Sequence, residues 1–504
     1  MPACVAALAM PDRRDYPDPM MPERPRRLID PGRPHLVAGA LLFAASLALF
    51  WPGYAEYDTL RQYEQVVSNQ LDDWHPPIMA RLWQALLPLG HGTAPLLAVQ
   101  LAGYWLGLAL IADALTAIGR RRAGWAVLAA GLLPPLLGWQ GVVLKDAQLV
   151  GAALAATGLI ARYRLRDRPV PGAIGAGAAL LFGYALLVRA NAVFALAPLI
   201  VALAPVRRPA AQFGAAITIV AAVLALSGTI NHRLLGAAPS DVTSTQPRYD
   251  LAGIAVRTRD AGVAALPAGT GATLRAAQCV TPYFWDPLGD TPACVAALAP
   301  LAPRSPGTLY RQLAVAALRH PAAYLAQRVA HLNMTWRWLV PAHLPGAAPP
   351  TRSEPNAAGI ASPGRAAAAW QTLAGGMVRT PLGWPFAWMI AALLLLAGAG
   401  RAPRGPVRRL ALGLLASALA LEASFAAISI AADLRYHLWP MLATALAGVL
   451  LIERAPSRRA TRLAGGIALL LGTPGLVARA GFADPPQEYD ALLRWTPPVA
   501  LLPR

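Results

Sequence analysis

The sequence predicts an all-α polytopic membrane protein with about 11 transmembrane helices and a loop subdomain on its outer face. Of its 504 residues, 56% are hydrophobic and only 14% are charged, and the mean hydropathy is +0.45. Soluble domains carry about 25% charged residues, so this chain is far more apolar than they are. The arginines fall largely in short clusters between apolar segments, as the signals that orient membrane helices do.

The first 35 residues are rich in proline and arginine and contain no apolar core. This composition is typical of a disordered cytoplasmic tail and not of a signal peptide. We therefore expect the range 1–35 to be a tail and the membrane part to begin at residue 36.

Apolar segments that are long enough, or nearly so, to cross a bilayer core of about 30 Å follow this tail. They are 36–52, 94–117, 124–143, 147–162, 171–188, 191–206, 210–230, 384–400, 410–431, 437–453 and 463–480. We expect them to form an N-terminal module, 36–230, and a C-terminal module, 384–480.

The arginine clusters predict how these segments are oriented. Threading the chain from an inner N-terminus places five clusters inside, which are 120–122, 162–168, 207–208, 401–409 and 454–462. Because positive charge favours the inner side, each cluster supports the same orientation. The net charge of +19 is thereby read as a topology signal, and no nucleic-acid partner is predicted.

Six regions are left on the outer face: the loop 53–93, three tight turns near Lys145, Arg189 and 433–437, the long segment 231–383, and the tail 481–504. The segment 231–383 has room for a subdomain of its own. It holds Cys279 and Cys294, for which an oxidising exterior permits a disulfide. It also holds a helical stretch that Pro321 should interrupt.

The first outer loop concentrates ionisable groups beside aromatic residues, in the stretch from Trp51 to Pro77. These groups are Glu56, Asp58, Asp72, Asp73 and His75. Such a crowd at the edge of the lipid makes this loop the first candidate for chemistry.

Each member also has a structural interpretation. Asp58 could be the N-cap of an amphipathic helix, although Glu56 would then be a second acid without a purpose. His75 could be a metal ligand, a phosphate partner or an interfacial histidine. Pro76 and Pro77 should begin a helix at about 78–87.

The three tight outer turns carry one cation each, namely Lys145, Arg189 and Arg435. Lys145 is the only lysine in the chain. A lysine is a compact charge that can approach a phosphate, but this one could equally extend to the interface while Asp146 caps the next helix. Arg435 could simply pair with Asp433.

Glu422 lies within the apolar run 410–431. A carboxylate inside a membrane indicates a function by default. It could instead be protonated, or hydrogen-bonded to Ser424 or Ser429.

Taken together, these motifs resemble those of the GT-C superfamily of integral membrane glycosyltransferases, in the group of protein O-mannosyltransferases and lipid A aminoarabinose transferases. The resemblance is carried by the acids after the first helix, the segment Asp73–Pro77, the Lys145-Asp146 pair, and Asp433-Leu-Arg435-Tyr436. The chain differs from that group in having Glu56-Tyr-Asp58 in place of adjacent acids and in lacking a sizeable C-terminal soluble domain. The first difference leaves open which carboxylate is catalytic.

This resemblance implies an inverting transfer of a sugar from a polyprenyl-phosphate carrier to an acceptor that is a lipid, glycan or protein. The transfer would occur at the outer face of a bacterial cytoplasmic membrane. In this interpretation Asp58 or Glu56 is the catalytic base, and the donor phosphate is bound by Lys145, Arg189, Arg435 and Tyr436. Asp73 and His75 would orient the acceptor or hold a divalent cation. The alternatives are a transporter or lipid flippase, and a noncatalytic subunit of an envelope polysaccharide complex.

Overall fold

The computed structural model describes residues 33–206, 208–258, 263, 266–452 and 458–498. Most of the predicted N-terminal tail, Arg207, Arg454 and the end of the predicted C-terminal tail lie outside these residues. The described residues form 22 α-helices and no strand, and their β contacts are isolated bridges. The predicted all-α fold class is confirmed.

The part before residue 230 contains ten helices. They are α1 (Pro34–Phe50), α2 (Tyr57–Ser68), α3 (Pro77–Leu86), α4 (Ala94–Ala117), α5 (Arg121–Gly131), α6 (Pro134–Gln140), α7 (Lys145–Arg164), α8 (Gly172–Val188), α9 (Ala192–Leu203) and α10 (Pro209–Thr229).

The remaining twelve helices follow in two groups. The first is α11 (Thr245–Arg257), α12 (Thr270–Ala276), α13 (Pro287–Asp290), α14 (Pro292–Leu298), α15 (Pro306–Arg319), α16 (Pro321–Trp336) and α17 (Arg365–Met377). The second is α18 (Pro385–Gly398), α19 (Pro406–Ile428), α20 (Leu438–Leu451), α21 (Arg458–Gly481) and α22 (Tyr489–Leu492).

The main core is a bundle in which α4 packs against α1, α5 and α7, while α19 packs against α9 and α20. Glycines set the spacing between α4 and α7. A Cβ at Gly103 would lie 2.8 Å from the carbonyl oxygen of Gly151, and a Cβ at Gly151 would lie 2.6 Å from that of Gln100. Small residues let membrane helices approach closely, and this approach holds α7 in register with the rest of the bundle.

Among the described residues, five helices are long and apolar enough to cross a membrane. They are Ala94–Ala117, Pro209–Leu234, Pro406–Ile428, Leu434–Leu451 and Thr461–Gly481. Shorter apolar helices include Pro34–Phe50, Gly172–Val188 and Pro385–Arg401. The chain is a polytopic membrane protein, and the predicted count of 11 spans is not confirmed.

The segment 124–143 differs from the prediction. Instead of one spanning helix it forms α5, of 11 residues, and α6, of 7 residues. Proline lacks the backbone donor and disfavours helical geometry in the residue before it, so Pro134 ends the helix that average hydropathy suggested.

The segment 231–383 has a second hydrophobic core, formed mainly by buried residues between 249 and 316. Cys279 and Cys294 are joined by a disulfide within it, as predicted. Pro321 separates α15, which ends at Arg319, from α16, also as predicted.

Candidate functional site

The first outer loop is fixed by hydrogen bonds to the chain just before Lys145. The Tyr54 amide donates to the Gly141 carbonyl at 3.0 Å, and the Val143 amide donates to the Tyr54 carbonyl at 3.0 Å. The Thr59 hydroxyl donates to the Val143 carbonyl at 2.8 Å. The loop and the turn at Lys145 therefore lie on the same side of the bundle, and the start of α2 lies opposite the start of α7.

Helix α2 is capped by Glu56 and not by Asp58. Glu56 occupies the N-cap position, and its backbone amide donates to the Thr59 hydroxyl oxygen at 3.1 Å. Asp58 lies in the first turn, so the interpretation of Asp58 as the cap is wrong. Its carboxylate extends to Lys145, with 3.4 Å between Oδ2 and Nζ, and each of the two side chains is 20% exposed.

Arg435 joins the first loop to the motif that precedes α20. Its guanidinium lies 2.9 Å from the Asp58 carboxylate, 3.1 Å from Asp433 and 3.4 Å from Glu56. The pair with Asp433 that the sequence suggested is present, and it is one of four, because Asp146 lies 3.9 Å away. Three chain segments therefore meet, two of them 379 residues apart.

Arg189 forms the third cationic part of the site. It pairs with Asp146 and donates from Nε to the Asn191 side chain at 2.7 Å. Its guanidinium lies 4.0 Å from the centre of the Tyr436 ring, a cation–π contact that fixes the direction of both groups. Asp146 therefore orients an arginine rather than capping α7.

Asp146 belongs to the charged residues of the site, although from the sequence it had only a possible role as a cap and a place in the Lys145-Asp146 motif. Its other carboxylate oxygen lies 3.9 Å from Nε of Arg435 and has no hydrogen-bond partner. The signal that could have identified it is its position directly after the only lysine, at a predicted outer turn.

We call these residues the charge cluster: Glu56, Asp58, Lys145, Asp146, Arg189, Asp433 and Arg435. It contains three cations and four carboxyl groups, and six of its members were singled out from the sequence as site residues or as a partner of one. Asp58 and Arg435 lie at its centre.

The pKa values of Glu56 and Asp58 are shifted in opposite directions. Burial raises the pKa of Glu56 to about 8, although Arg435 counteracts it. Burial also acts to raise the pKa of Asp58, but the charges of Lys145 and Arg435 outweigh it and hold that pKa well below its ordinary value. At neutral pH Glu56 is therefore mostly protonated, and Asp58 is ionised.

His75 lies beside the cluster, and Asp73 does not. His75 is 4% exposed, and its Nδ1 has no hydrogen-bond partner. Burial and then the charge of Lys145 lower the pKa of His75 to about 4, so it is neutral at pH 7. Asp73 instead accepts hydrogen bonds from the amide and hydroxyl of Ser240, both at 2.6 Å, and lies 3.4 Å from His232. It binds the first loop to the chain after α10.

Glu422 pairs with His437, with 2.8 Å between Oε1 and Nδ1, and both side chains are almost fully buried. The suggested partners Ser424 and Ser429 instead donate to backbone carbonyls. His437 follows Arg435 by two residues, so this pair anchors the cationic motif to α19. An acid inside the membrane requires such a partner.

The long segment contributes a wall to the site. The Gly346 carbonyl accepts from the Leu434 amide at 2.8 Å, and the Ala55 amide donates to the Ser353 hydroxyl at 3.1 Å. Gly346 has a positive φ of 68°, and a Cβ there would collide with the Asp433 carboxylate. Only glycine fits this position without strain.

Among the described residues, no three or more His, Cys, Asp or Glu side chains are grouped as they would be to hold a metal ion. The acids of the cluster contact cations instead. A divalent cation stays a prediction.

No protein-family model matches the chain, and no curated protein matches it. Its structure is similar to that of the archaeal oligosaccharyltransferase AglB from Archaeoglobus fulgidus, which was solved with an inhibitory peptide and a dolichol-phosphate. The TM-score is 0.36 and the sequence identity 14%, over 92% of this chain and 56% of that one. The likeness is distant and the chain spans little more than half of that protein's length, so function rests on this chain's own residues.

Proposed function

We propose that the chain is a membrane glycosyltransferase of the GT-C type that moves a sugar from a polyprenyl-phosphate carrier to an acceptor. We further propose that the charge cluster is its active site and faces the outside of a bacterial cytoplasmic membrane. One observation carries the proposal: three cations from separate turns converge on one group of acids. Lys145 and Arg435 both pair with Asp58 of the first loop, and Arg189 pairs with Asp146, which lies 3.9 Å from Arg435.

The three cations suit a leaving phosphate. When the bond between the sugar and the carrier breaks, negative charge develops on the phosphate, and fixed cations stabilise that charge without reorganising. Tyr436 lies beneath Arg189 and keeps its guanidinium in place. A carrier with its tail in lipid presents its phosphate at the membrane surface, where the turns are predicted to lie.

Asp58 is the proposed base. It takes the proton of the acceptor hydroxyl, whose oxygen bonds to the anomeric carbon from the side opposite the phosphate. The bond from that carbon to the phosphate oxygen breaks, and its electron pair leaves with the carrier. The sugar configuration is thereby inverted.

Donor binding and base strength are linked in this arrangement. A very low pKa makes Asp58 a weak proton acceptor while Lys145 and Arg435 hold it. The donor phosphate needs the same two cations, and when it binds them it weakens their hold on Asp58. Asp58 therefore becomes a stronger base only when a donor is present, which limits proton removal in the absence of a donor.

Glu56 is the second acid and takes a different role. Because its pKa is about 8, it is mostly protonated at pH 7 and can donate a hydrogen bond. We propose that Glu56 holds Arg435 and the acceptor in position and does not remove the proton.

The test measures transfer of radiolabelled sugar from synthetic polyprenyl-phosphate donors into products of membranes that contain the full chain. Asp58→Asn should lower the rate by at least about 100-fold, since positioned bases contribute that much. Glu64→Gln is the matched control, because Glu64 lies on the same helix and its side chain is 62% exposed.

The Glu64→Gln membranes should transfer sugar at the wild-type rate. Sugar transfer at the wild-type rate by Asp58→Asn protein, present in normal amount, would contradict the proposal.

A further inference from the structure

A cavity of about 550 Å³ lies on the other side of the Gly346 wall from the charge cluster. It is bounded by the chain from residue 337 to 349, by α17, and by the ends of α18 and α21. Three arginines line it, namely Arg337, Arg379 and Arg479, together with Trp384. Ligand pockets have volumes of about 300–1,000 Å³, so the cavity is large enough for a bound molecule.

Arg337 is buried, and its hydrogen bonds are made to backbone carbonyls. Its guanidinium donates to Leu344 at 3.1 Å, to Pro345 at 2.6 Å and to Ala432 at 2.8 Å. Its Nε is buried and has no partner. Backbone carbonyls satisfy donors, but they do not neutralise a full charge.

Arg479 has the same kind of environment. It donates to the carbonyls of Trp338 at 2.8 Å and Arg337 at 2.6 Å, and its guanidinium lies 3.8 Å from the centre of the Trp384 ring. The guanidinium of Arg479 therefore lies against the backbone of Arg337.

Within the described part of the chain, none of the three lining arginines has a carboxylate within the ion-pair distance of 4.0 Å. The acids nearest in the fold have other partners: Asp433 pairs with Arg435, and Asp484 lies 2.7 Å from His343. Of the three arginines Arg337 is buried, and a buried charge is costly unless it is paired. Asp433 and Asp484 act on Arg337 and Arg379 only from beyond ion-pair distance, so neither guanidinium has an acid of its own. An anionic ligand would supply the counter-charge.

Arg479 lies two residues before the end of the candidate span Thr461–Gly481, so one side of the cavity is near a membrane boundary. Trp338 stacks on Phe386, with 4.6 Å between ring centres, and its indole donates to the Leu471 carbonyl of α21. Tryptophan is enriched where membrane helices meet water, and α21 contains a candidate span that ends at Gly481.

We propose that this cavity is an anion site that binds a phosphate group, separate from the charge cluster. Guanidinium groups bind phosphate in a planar fork, and two or three of them together select it over a neutral group. A bare phosphate has roughly the volume of two or three waters of about 30 Å³ each, which leaves most of the cavity empty. The headgroup of a phospholipid fills it better. This proposal stands whether or not the chain is a glycosyltransferase.

The test uses purified full-length protein that has been stripped of lipid, with native mass spectrometry as the readout. The probes are phosphatidylglycerol and diacylglycerol with the same acyl chains, and inorganic phosphate serves as a competitor. Arg379→Gln is the main variant because Arg379 is exposed and its loss should leave the fold intact. Arg365→Gln is the matched control. Arg365, at the start of α17, is exposed as Arg379 is, and it does not line the cavity.

Wild-type protein and Arg365→Gln should retain one phosphatidylglycerol and no diacylglycerol. Arg379→Gln should bind it about tenfold more weakly, as expected for a lost charged hydrogen bond, and Arg379→Lys should bind more tightly than Arg379→Gln. Displacement by millimolar phosphate would identify free phosphate as a sufficient ligand, and no displacement would identify the lipid headgroup. Equal retention by wild type, Arg379→Gln and Arg479→Gln, or equal retention of diacylglycerol, would overturn the proposal.

Discussion

Glu56 should be protonated at neutral pH where Asp58 is ionised, and a substitution of Glu56 can test this difference. Arg435 has two closer partners, Asp58 at 2.9 Å and Asp433 at 3.1 Å, while Glu56 lies at 3.4 Å. One guanidinium cannot hold three carboxylates equally well, and burial then favours the neutral form of Glu56. Because glutamine resembles that neutral form, Glu56→Gln should preserve the folded structure.

The size of the effect follows from the pKa. The ordinary pKa of this carboxyl is 4.5, and in the folded protein the pKa is about 8. Below pH 4.5 both states are protonated, and the full stability is present. As pH rises toward 8, folding must protonate a group that the unfolded chain leaves ionised. At about 1.36 kcal/mol per pH unit, this costs about 3 kcal/mol at pH 7.

The assay is thermal unfolding of the purified chain in detergent at several values between pH 5 and pH 8. The melting temperature of wild type should fall relative to that of Glu56→Gln as pH rises, by a few °C in total. The readout is the difference between the two proteins, because burial also raises the pKa of Asp286 to about 7 and adds its own slope to both. Glu64→Gln should follow wild type throughout.

A constant difference across this pH range would refute the reasoning, and so would a Glu56→Gln protein that is less stable than wild type at pH 8. Either result would mean that Glu56 is ionised and that its pair with Arg435 stabilises the fold. Transfer activity at pH 7 should stay within a few-fold of wild type in Glu56→Gln.

Three further outcomes are expected. Lys145→Gln should reduce sugar transfer at least about tenfold in steady-state assays, and Lys145→Arg should reduce it less, since it retains a cation near Asp58. Gly346→Ala should lower the melting temperature and the transfer rate together, because its Cβ would collide with Asp433. Cys279→Ser, which opens a loop of 15 residues, should lose about 3 kcal/mol, and a thiol reductant should lower the melting temperature of wild type to a similar value.

Much of the fold followed from composition and local chemistry. Apolar length predicted both ends of α4, and proline positions predicted the start of α3 to within one residue and the break between α15 and α16. The prediction of a single span over 124–143 was wrong because average hydropathy measures only how apolar a segment is. A window of apolar residues does not register that Pro134 interrupts the hydrogen-bond ladder.

The members of the charge cluster were predictable from the sequence, and their pairings were not. The arginine clusters predicted that these turns share a side, so Asp58, Lys145, Arg189 and Arg435 were expected to meet. Which acid faces which cation depends on packing between α4 and α7 and on hydrogen bonds such as that from Thr59 to Val143. Sequence spacing carries no record of contacts between residues so far apart.

Three structural alternatives that the structure does not support share a cause. Asp58 and Asp146 were weighed as helix caps, and Ser424 and Ser429 as partners of Glu422, because these interpretations use neighbours in the sequence. In the structure Asp58 pairs with Lys145, and Glu422 pairs with His437 across a helix boundary. Charged groups at this membrane edge find their partners through the tertiary fold.

The central claim is that Lys145, Arg189 and Arg435 bind the donor phosphate beside Asp58. Its most direct test is an electron cryomicroscopy structure of the full chain with a non-hydrolysable polyprenyl-phosphate sugar analogue. We expect the phosphate to contact these three side chains, with the anomeric carbon facing Asp58. A phosphate bound only in the cavity of Arg337 and Arg479 would contradict the account. So would a structure in which the charge cluster is unchanged and holds no phosphate.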